Sequence, residues 1–199
     1  MNRDLIRKSY NQAAAAYARD RLSWRSNKHL QQLMNLLPKG AELLDLGCGD
    51  GIPVAELLIK KGFLVTGIDI SEVQIQRAKK NCPRASFICQ DMATLENGEF
   101  NVDALIALYS VFHLPRKSHL SFLKKINSFL EIGGLALVSM GDSDFEGFHD
   151  FYGTKMWSSH YGLEKNRSLF KVAGFEIIFE DLDKRARERH QIILAKKIS

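Results

Sequence analysis

Gly47, Gly49 and Gly51 stand at alternate positions in LLDLGCGDG, directly after a run that is apolar up to Leu46. A glycine-rich turn between a strand and a helix lets a ligand approach the backbone and sets helix N–H groups near a negative charge. Two acids fall where such a turn needs them. Asp69 ends the next apolar run, about 20 residues beyond the glycines, where a carboxylate in a doubly wound sheet accepts hydrogen bonds from ribose hydroxyls. Asp91, in CQDM, follows the third apolar run at the same sheet edge. This pattern points to nucleotide binding.

The glycine spacing narrows the nucleotide. Dinucleotide sites carry G-x-G-x-x-G, whose third glycine clears room for a pyrophosphate. Here the order is G-C-G-D-G followed by Ile52 and Pro53, and Asp45 and Asp50 add negative charge around the turn. That charge is unfavourable beside a pyrophosphate and tolerable beside a ligand carrying an ammonium and a sulfonium.

The elements that position these residues follow from periodicity. Ile6, Tyr10, Ala13 and Tyr17 share one helix face, and Leu30, Leu33, Met34 and Leu37 mark a second helix that closes at Pro38 and Gly40. Strands are expected at 41–46, 63–70, 85–89, 102–109 and 135–140. Between them, a helix opens near Pro53, and a second starts at a capping box in which Ser71 and Gln74 satisfy each other's backbone amides. A third carries Leu120, Leu123, Ile126 and Leu130 on one face. A helix over 163–173 then precedes strands 175–182 and 190–195, whose short joint makes them an antiparallel hairpin. The expected fold is α/β, a Rossmann-like doubly wound, seven-stranded, mostly parallel sheet with a C-terminal antiparallel hairpin. The chain reads as a single domain, 1–199, with residues 1–40 as a helical lid and 41–199 as the core.

Composition bounds the setting. The 199 residues are 45% hydrophobic and 26% charged, as in a soluble globular protein. No secretory signal or membrane-spanning run is visible, and the scattered Cys48, Cys82 and Cys89 suit a reducing compartment, so a cytoplasmic protein is expected. No His, Cys or acid spacing marks a metal site. The net charge of +5 is spread along the chain; its densest cluster, Lys184, Arg185, Arg187 and Arg189, is interleaved with acids, so nucleic-acid binding is not favoured. A monomer or homodimer is expected.

LLDLGCGDG, VTGIDIS, CQDM, VDALIALYSVFHL and LEIGGLALVS resemble, in order and spacing, the motifs of class I S-adenosylmethionine-dependent methyltransferases, over residues 41–140. The N-terminal YNQAAAAYARDR and the late KMWSSHYGLEKNRSLFKVAGFE are similar to a branch acting on small molecules. The resemblance implies S-adenosyl-L-methionine as cofactor. Gly47 and Gly49, with Asp45 just before and Cys48 between, would line its methionine part; Asp69 would hold the ribose. Ile70 and Met92 would sandwich the adenine, Asp91 would accept from its amino group, and Leu108 would offer backbone to the methionyl ammonium. Tyr10 and Tyr17 would come from the lid.

The implied reaction transfers a methyl group to an O, N or S nucleophile of a small organic acceptor. His113, just past the fourth strand, is the candidate general base, because an imidazole titrates near neutrality. Tyr109 and Ser110 are placed to orient an acceptor. The aromatic stretch from Phe145 to Tyr161 reads as an insertion over the site, with Trp157, His160 and Tyr161 as acceptor contacts. The strand end LYSVF lacks the Asn/Asp-Pro-Pro-aromatic run of nucleic-acid base methyltransferases, and no acidic pair follows it as in arginine methyltransferases. Two alternatives compete: a nicotinamide-dependent oxidoreductase, disfavoured by the glycine spacing, and a methyltransferase-like fold that binds RNA or a partner without catalysis.

Overall fold

The computed structural model describes residues 3–21, 28–184 and 189–199. Glu42–Leu46 (β1) is buried at every residue after Glu42, so both its faces must be covered. It lies at the middle of a seven-stranded sheet, parallel to β2 (Leu64–Asp69) on one side and to β4 (Val102–Ala107) on the other. The full order is β3-β2-β1-β4-β5-β9-β8, with β3 at Ser86–Cys89, β5 at Leu130–Gly141, β8 at Phe175–Asp183 and β9 at His190–Lys197. β9 runs antiparallel to both β5 and β8, which closes the sheet with the expected hairpin.

Alternate strand residues feed two cores. Leu43, Val65 and Ile106 face one layer, which holds Leu30 and Leu33 of α2 (Lys28–Leu36), Val54 and Leu58 of α3 (Val54–Lys60), and Ile75 of α4 (Glu72–Asn81). Leu44, Ile68 and Leu105 face the other, against Phe122 and Ile126 of α5 (His119–Asn127) and Phe170 of α6 (Leu163–Val172). This is the doubly wound Rossmann-like arrangement. The chain winds outward from β1 through β2 to β3, then returns to place β4 on β1's other side. A ligand crevice forms at such a reversal, beyond the carboxyl ends of the strands.

Three expectations are corrected. Leu130 does not continue the α5 face: the helix ends at Asn127, and Leu130 opens β5 opposite Val102. Both Ile126 and Leu130 are buried in the same layer, so their i, i+4 spacing imitates a helix stripe across a turn. The capping box is half formed. Ser71 Oγ accepts from the Gln74 N–H at 3.1 Å, but the Ser71 N–H donates to Asp69 Oδ1 at 2.8 Å rather than to Gln74. A carboxylate two residues away outcompetes a neutral amide for that donor.

The third concerns the aromatic stretch, which is a hairpin: β6 (Phe145–Phe151) pairs antiparallel with β7 (Thr154–His160) as a separate two-stranded sheet. Its two-residue turn, Tyr152-Gly153, has φ of 47° and 83°, the left-handed pair that matches strand twist in tight hairpins. The helix α1 (Arg3–Arg21) lies against β7 and α4, over the crevice. No helix among the described residues is long and apolar enough to cross a membrane.

Candidate functional site

The glycine turn is folded by its own backbone. The N–H groups of Gly47 and Cys48 donate to the Ile68 carbonyl at 2.8 and 3.0 Å, which pulls the turn over the end of β2. Gly47 has φ +82°, and a Cβ there would meet Ser110 Cβ at 2.5 Å. Ser110 is held in place by donating from Oγ to the Leu46 carbonyl at 2.8 Å. Asp69, only 9% exposed, accepts from the Gly49 N–H at 2.9 Å through Oδ2 and from Ser71 through Oδ1. One carboxylate thus ties the glycine loop to the start of α4.

These groups form one wall of a narrow cavity. It spans about 490 Å³, part of it open to solvent. Of the residues expected at the site, Tyr10, Tyr17, Gly47, Gly49, Asp69, Ile70, Met92, Tyr109 and His113 line it. Asp45, Cys48 and Leu108 lie behind the wall: all three are nearly fully buried, and the Cys48 thiol points at the Gly49 carbonyl. Arg3, Ile6, Ile68, Gln90 and Ser110 also line the cavity. Ser110 stood beside Tyr109 in the sequence reading, while Arg3 and Gln90 carry no local signal that would single them out.

The opposite wall is α1, which contacts the loops after β2, β3 and β4 and the hairpin. Arg7 pairs with Glu72 at 2.7 Å, and the Ser71 hydroxyl donates to Asn11 at 2.6 Å. Arg3 donates to both oxygens of Asp91, at 2.7 and 2.5 Å, and to the His113 carbonyl at 2.6 Å. Asp91 therefore sits behind Arg3 and also caps the turn at Met92 by accepting from the Ala93 N–H. Burial works against its charge, yet Arg3 and that N–H together hold the carboxyl below its ordinary range. The Ser9 hydroxyl donates to the Lys155 carbonyl of β7 at 2.7 Å, which fastens the hairpin to the lid.

His113 joins these pieces. Its ring is 5% exposed, with Nδ1 2.9 Å from the Trp157 carbonyl and Nε2 2.8 Å from the Tyr10 hydroxyl. A carbonyl only accepts, so Nδ1 carries the proton and Nε2 accepts from Tyr10. Burial, together with the nearby Arg3 charge, pushes its pKa down to about 3, so the ring is neutral. β4 ends at Ala107 rather than at the expected residue 109, and Tyr109, two residues beyond it, has φ 57°, its N–H donating to Ser139 Oγ and its phenol to Asp183.

The structure does not bring the other aromatic-stretch residues to the cavity. Trp157 contributes its carbonyl to His113. His160 stacks on Phe145 and donates to the Ser143 carbonyl, and Tyr161 lies beside His119 under Arg116. Phe151 of the same hairpin does reach the lid, packing on Tyr10 and Tyr17 at 5.2 and 5.5 Å. Among the described residues no group of three His, Cys, Asp or Glu could hold a metal. In the basic cluster, Arg185 and Arg187 lie outside the described residues, and Arg189 pairs with Asp142 at 2.9 Å.

The residues present fit an adenosyl amino acid. The turn lines the cavity with backbone at Gly47 and Gly49, a buried acid stands at the second strand's end, and aliphatic side chains of Ile70 and Met92 flank the cavity. Comparison with known proteins agrees. A sequence model of the methyltransferase domain matches residues 43–134. The chain is 25% identical over 176 residues to a ubiquinone biosynthesis O-methyltransferase of Coxiella burnetii, covering 86% of this chain and 64% of that one. It is 32% identical over 119 residues to the 27-O-demethylrifamycin SV methyltransferase of Amycolatopsis mediterranei, covering 56% and 42%. The chain thus spans just under two thirds of the length of the first of these relatives. In fold it is similar to the 1,6-didemethyltoxoflavin-N1-methyltransferase of Burkholderia thailandensis, with TM-score 0.73 and 18% identity over 98% of this chain and 88% of that one. By motif order, fold and relatives together, the chain is similar to the class I S-adenosylmethionine-dependent methyltransferases.

Proposed function

We propose that this protein transfers a methyl group from S-adenosylmethionine to a hydroxyl, amine or thiol of a small organic molecule, and that residues 1–199 work as one unit. The observation that carries the reading is the placement of His113 and Tyr10 across a narrow cavity from the Gly47–Gly49 cradle. The relatives support a small acceptor: the two curated ones are named for methylation in ubiquinone biosynthesis and of a rifamycin.

The cofactor supplies an electrophilic methyl group on a positively charged sulfur, so the protein mainly aligns a nucleophile and excludes water. Gly47 and Gly49 would admit the methionine part close to the backbone, Asp69 would take the ribose, and Ile70 and Met92 would flank the adenine. Asp91, whose carboxylate is taken by Arg3 and the Ala93 N–H, would hold Arg3 at the cavity edge rather than take the adenine amino group itself. His113, neutral and with its acceptor nitrogen aimed toward the cavity wall, is suited to take a proton from an acceptor that has one to lose. Tyr109, pinned at both ends, shapes the acceptor side.

The test is a screen with S-adenosylmethionine against catechols, phenols, aryl amines and thiols, read by mass spectrometry. A methylated product that disappears in His113→Ala, with S-adenosylhomocysteine binding retained, supports the reading. Loss of binding in that variant, with turnover per bound cofactor intact, would make His113 structural.

A further inference from the structure

The densest basic cluster in the sequence is interleaved with acids, but the fold assembles another from three separate loops. The connections into β1, β2 and β3 (residues 36–41, 60–63 and 79–85) hold Lys39, Lys60, Lys61, Lys79, Lys80 and Arg84 and no acid. Because these strands are parallel neighbours, the three connections lie side by side at the amino ends of the strands, opposite the cavity. They are also tied together. The Leu64 N–H donates to the Ala41 carbonyl at 3.0 Å, and Arg84 donates to the Ile59 carbonyl at 3.5 Å. Two leucines stand exposed in this setting, Leu36 by 55% and Leu64 by 58%. Acids border the patch: Glu56 pairs with Lys60 at 2.9 Å, and Glu42 and Asp103 flank it on the β4 side.

Lysines in a last helical turn complement the macrodipole, which accounts for Lys60, Lys79 and Lys80. It does not account for Lys39 and Arg84, which lie outside helices, or for leucines left in water.

We propose that this edge docks on an anionic phospholipid bilayer, with the cations over the headgroups and Leu36 and Leu64 reaching into the interface. Five of the six cations are lysines, point charges that answer to charge density, whereas interfaces between proteins are depleted in lysine and enriched in arginine. Single-stranded nucleic acid is held on aromatic platforms, and the exposed apolar side chains of this patch are aliphatic. A second copy of the chain would set like charge against like. A bilayer requires only negative charge with an apolar layer beneath it. The cavity, at the opposite edge of the sheet, then faces water, so its ligands still enter from solution. Docking of this kind holds whatever reaction the cavity performs.

Co-sedimentation with vesicles tests the proposal, using phosphatidylcholine alone and an equal mixture with phosphatidylglycerol, each at low and high salt. The protein is expected to sediment with the mixed vesicles at low salt, and to stay in solution at high salt or with phosphatidylcholine alone. Each lysine near the surface contributes about fivefold in partitioning, so Lys61→Ala combined with Lys80→Ala is expected to lose about 25-fold. Leu64→Ser is expected to weaken binding while leaving its salt dependence as in the parent. Lys117→Ala combined with Lys165→Ala removes the same charge from exposed positions elsewhere and is expected to bind as the parent does. Calorimetric affinity for S-adenosylhomocysteine, equal in parent and variants, shows that the fold is kept. Equal binding to both kinds of vesicle, an equal loss in the two lysine pairs, or parental binding in Leu64→Ser would each overturn the proposal. Retention on single-stranded RNA with none on mixed vesicles would overturn it in favour of a nucleic-acid surface.

Discussion

The two walls of the cavity are built by opposite means. The glycine wall is made of backbone: Gly47, Cys48 and Gly49 bond to Ile68 and Asp69 across a short stretch of chain. The lid wall is made of side chains meeting across long sequence separations, with Tyr10 on His113 and Arg3 on Asp91. A backbone cradle tolerates almost no substitution, because conformation and clearance are both fixed. A side-chain wall can lose single members and keep its shape.

The largest effect is expected at Gly47→Ala. Its φ of +82° and the 2.5 Å approach of a new Cβ to Ser110 Cβ add strain and overpacking. Each is worth about 1–3 kcal/mol, so S-adenosylhomocysteine affinity falls by at least about 30-fold in calorimetry. Near-parental binding would remove the glycine turn from the cradle.

Acid comes next. His113 has an ordinary pKa of 6.5 and is lowered to about 3 by burial, so between those values the unfolded chain binds more protons than the folded one. Stability is then fully present above pH 6.5 and lost as pH falls. From pH 6.5 to 5 this group alone removes about 2 kcal/mol. His119, lowered to about 4 by burial, adds its own share in the same direction. Urea unfolding at pH 7 and pH 5 should show the loss, and His113→Gln should flatten the dependence by its part. An unchanged slope in that variant would mean that His113 is not a buried neutral base.

Asp69→Ala is expected to weaken S-adenosylhomocysteine binding by about 1–3 kcal/mol, the effect of leaving buried donors without their acceptor. The donors are the N–H groups of Gly49 and Ser71. Binding as tight as the parent's would show that the acid is not part of the cradle. The smallest effect belongs to His160→Ala. Its ring stacks on Phe145 away from the cavity, so affinity should stay within about twofold, the scale of a surface substitution. A larger loss would extend the acceptor side further along the hairpin than the structure does.

The same contrast explains what the sequence could reveal. The alternation of strands and helices and the glycine turn were legible because local signals make them: apolar runs, glycines at fixed offsets and acids at strand ends. Asp69 was found for the same reason. Arg3 was not, because its partners Asp91 and His113 lie 88 and 110 residues away and nothing near Arg3 marks it. The β6–β7 hairpin was hidden by aromatic density, although Tyr152-Gly153 between two seven-residue strands is a turn of the tight type. Leu130 misled because burial in one layer can mimic a helical stripe. Trp157 and His160 were chosen for their chemistry, but a strand alternates its faces, and composition alone does not say which face meets the cavity; Tyr161 lies just past the end of β7.

The central claim is that the Gly47–Gly49 cradle takes S-adenosylmethionine rather than a dinucleotide. Calorimetry with S-adenosylhomocysteine, and with NADH as comparator, tests it most directly. Micromolar binding of S-adenosylhomocysteine alone, weakened in Gly47→Ala, is expected. Binding of NADH alone, or of neither ligand, would contradict it.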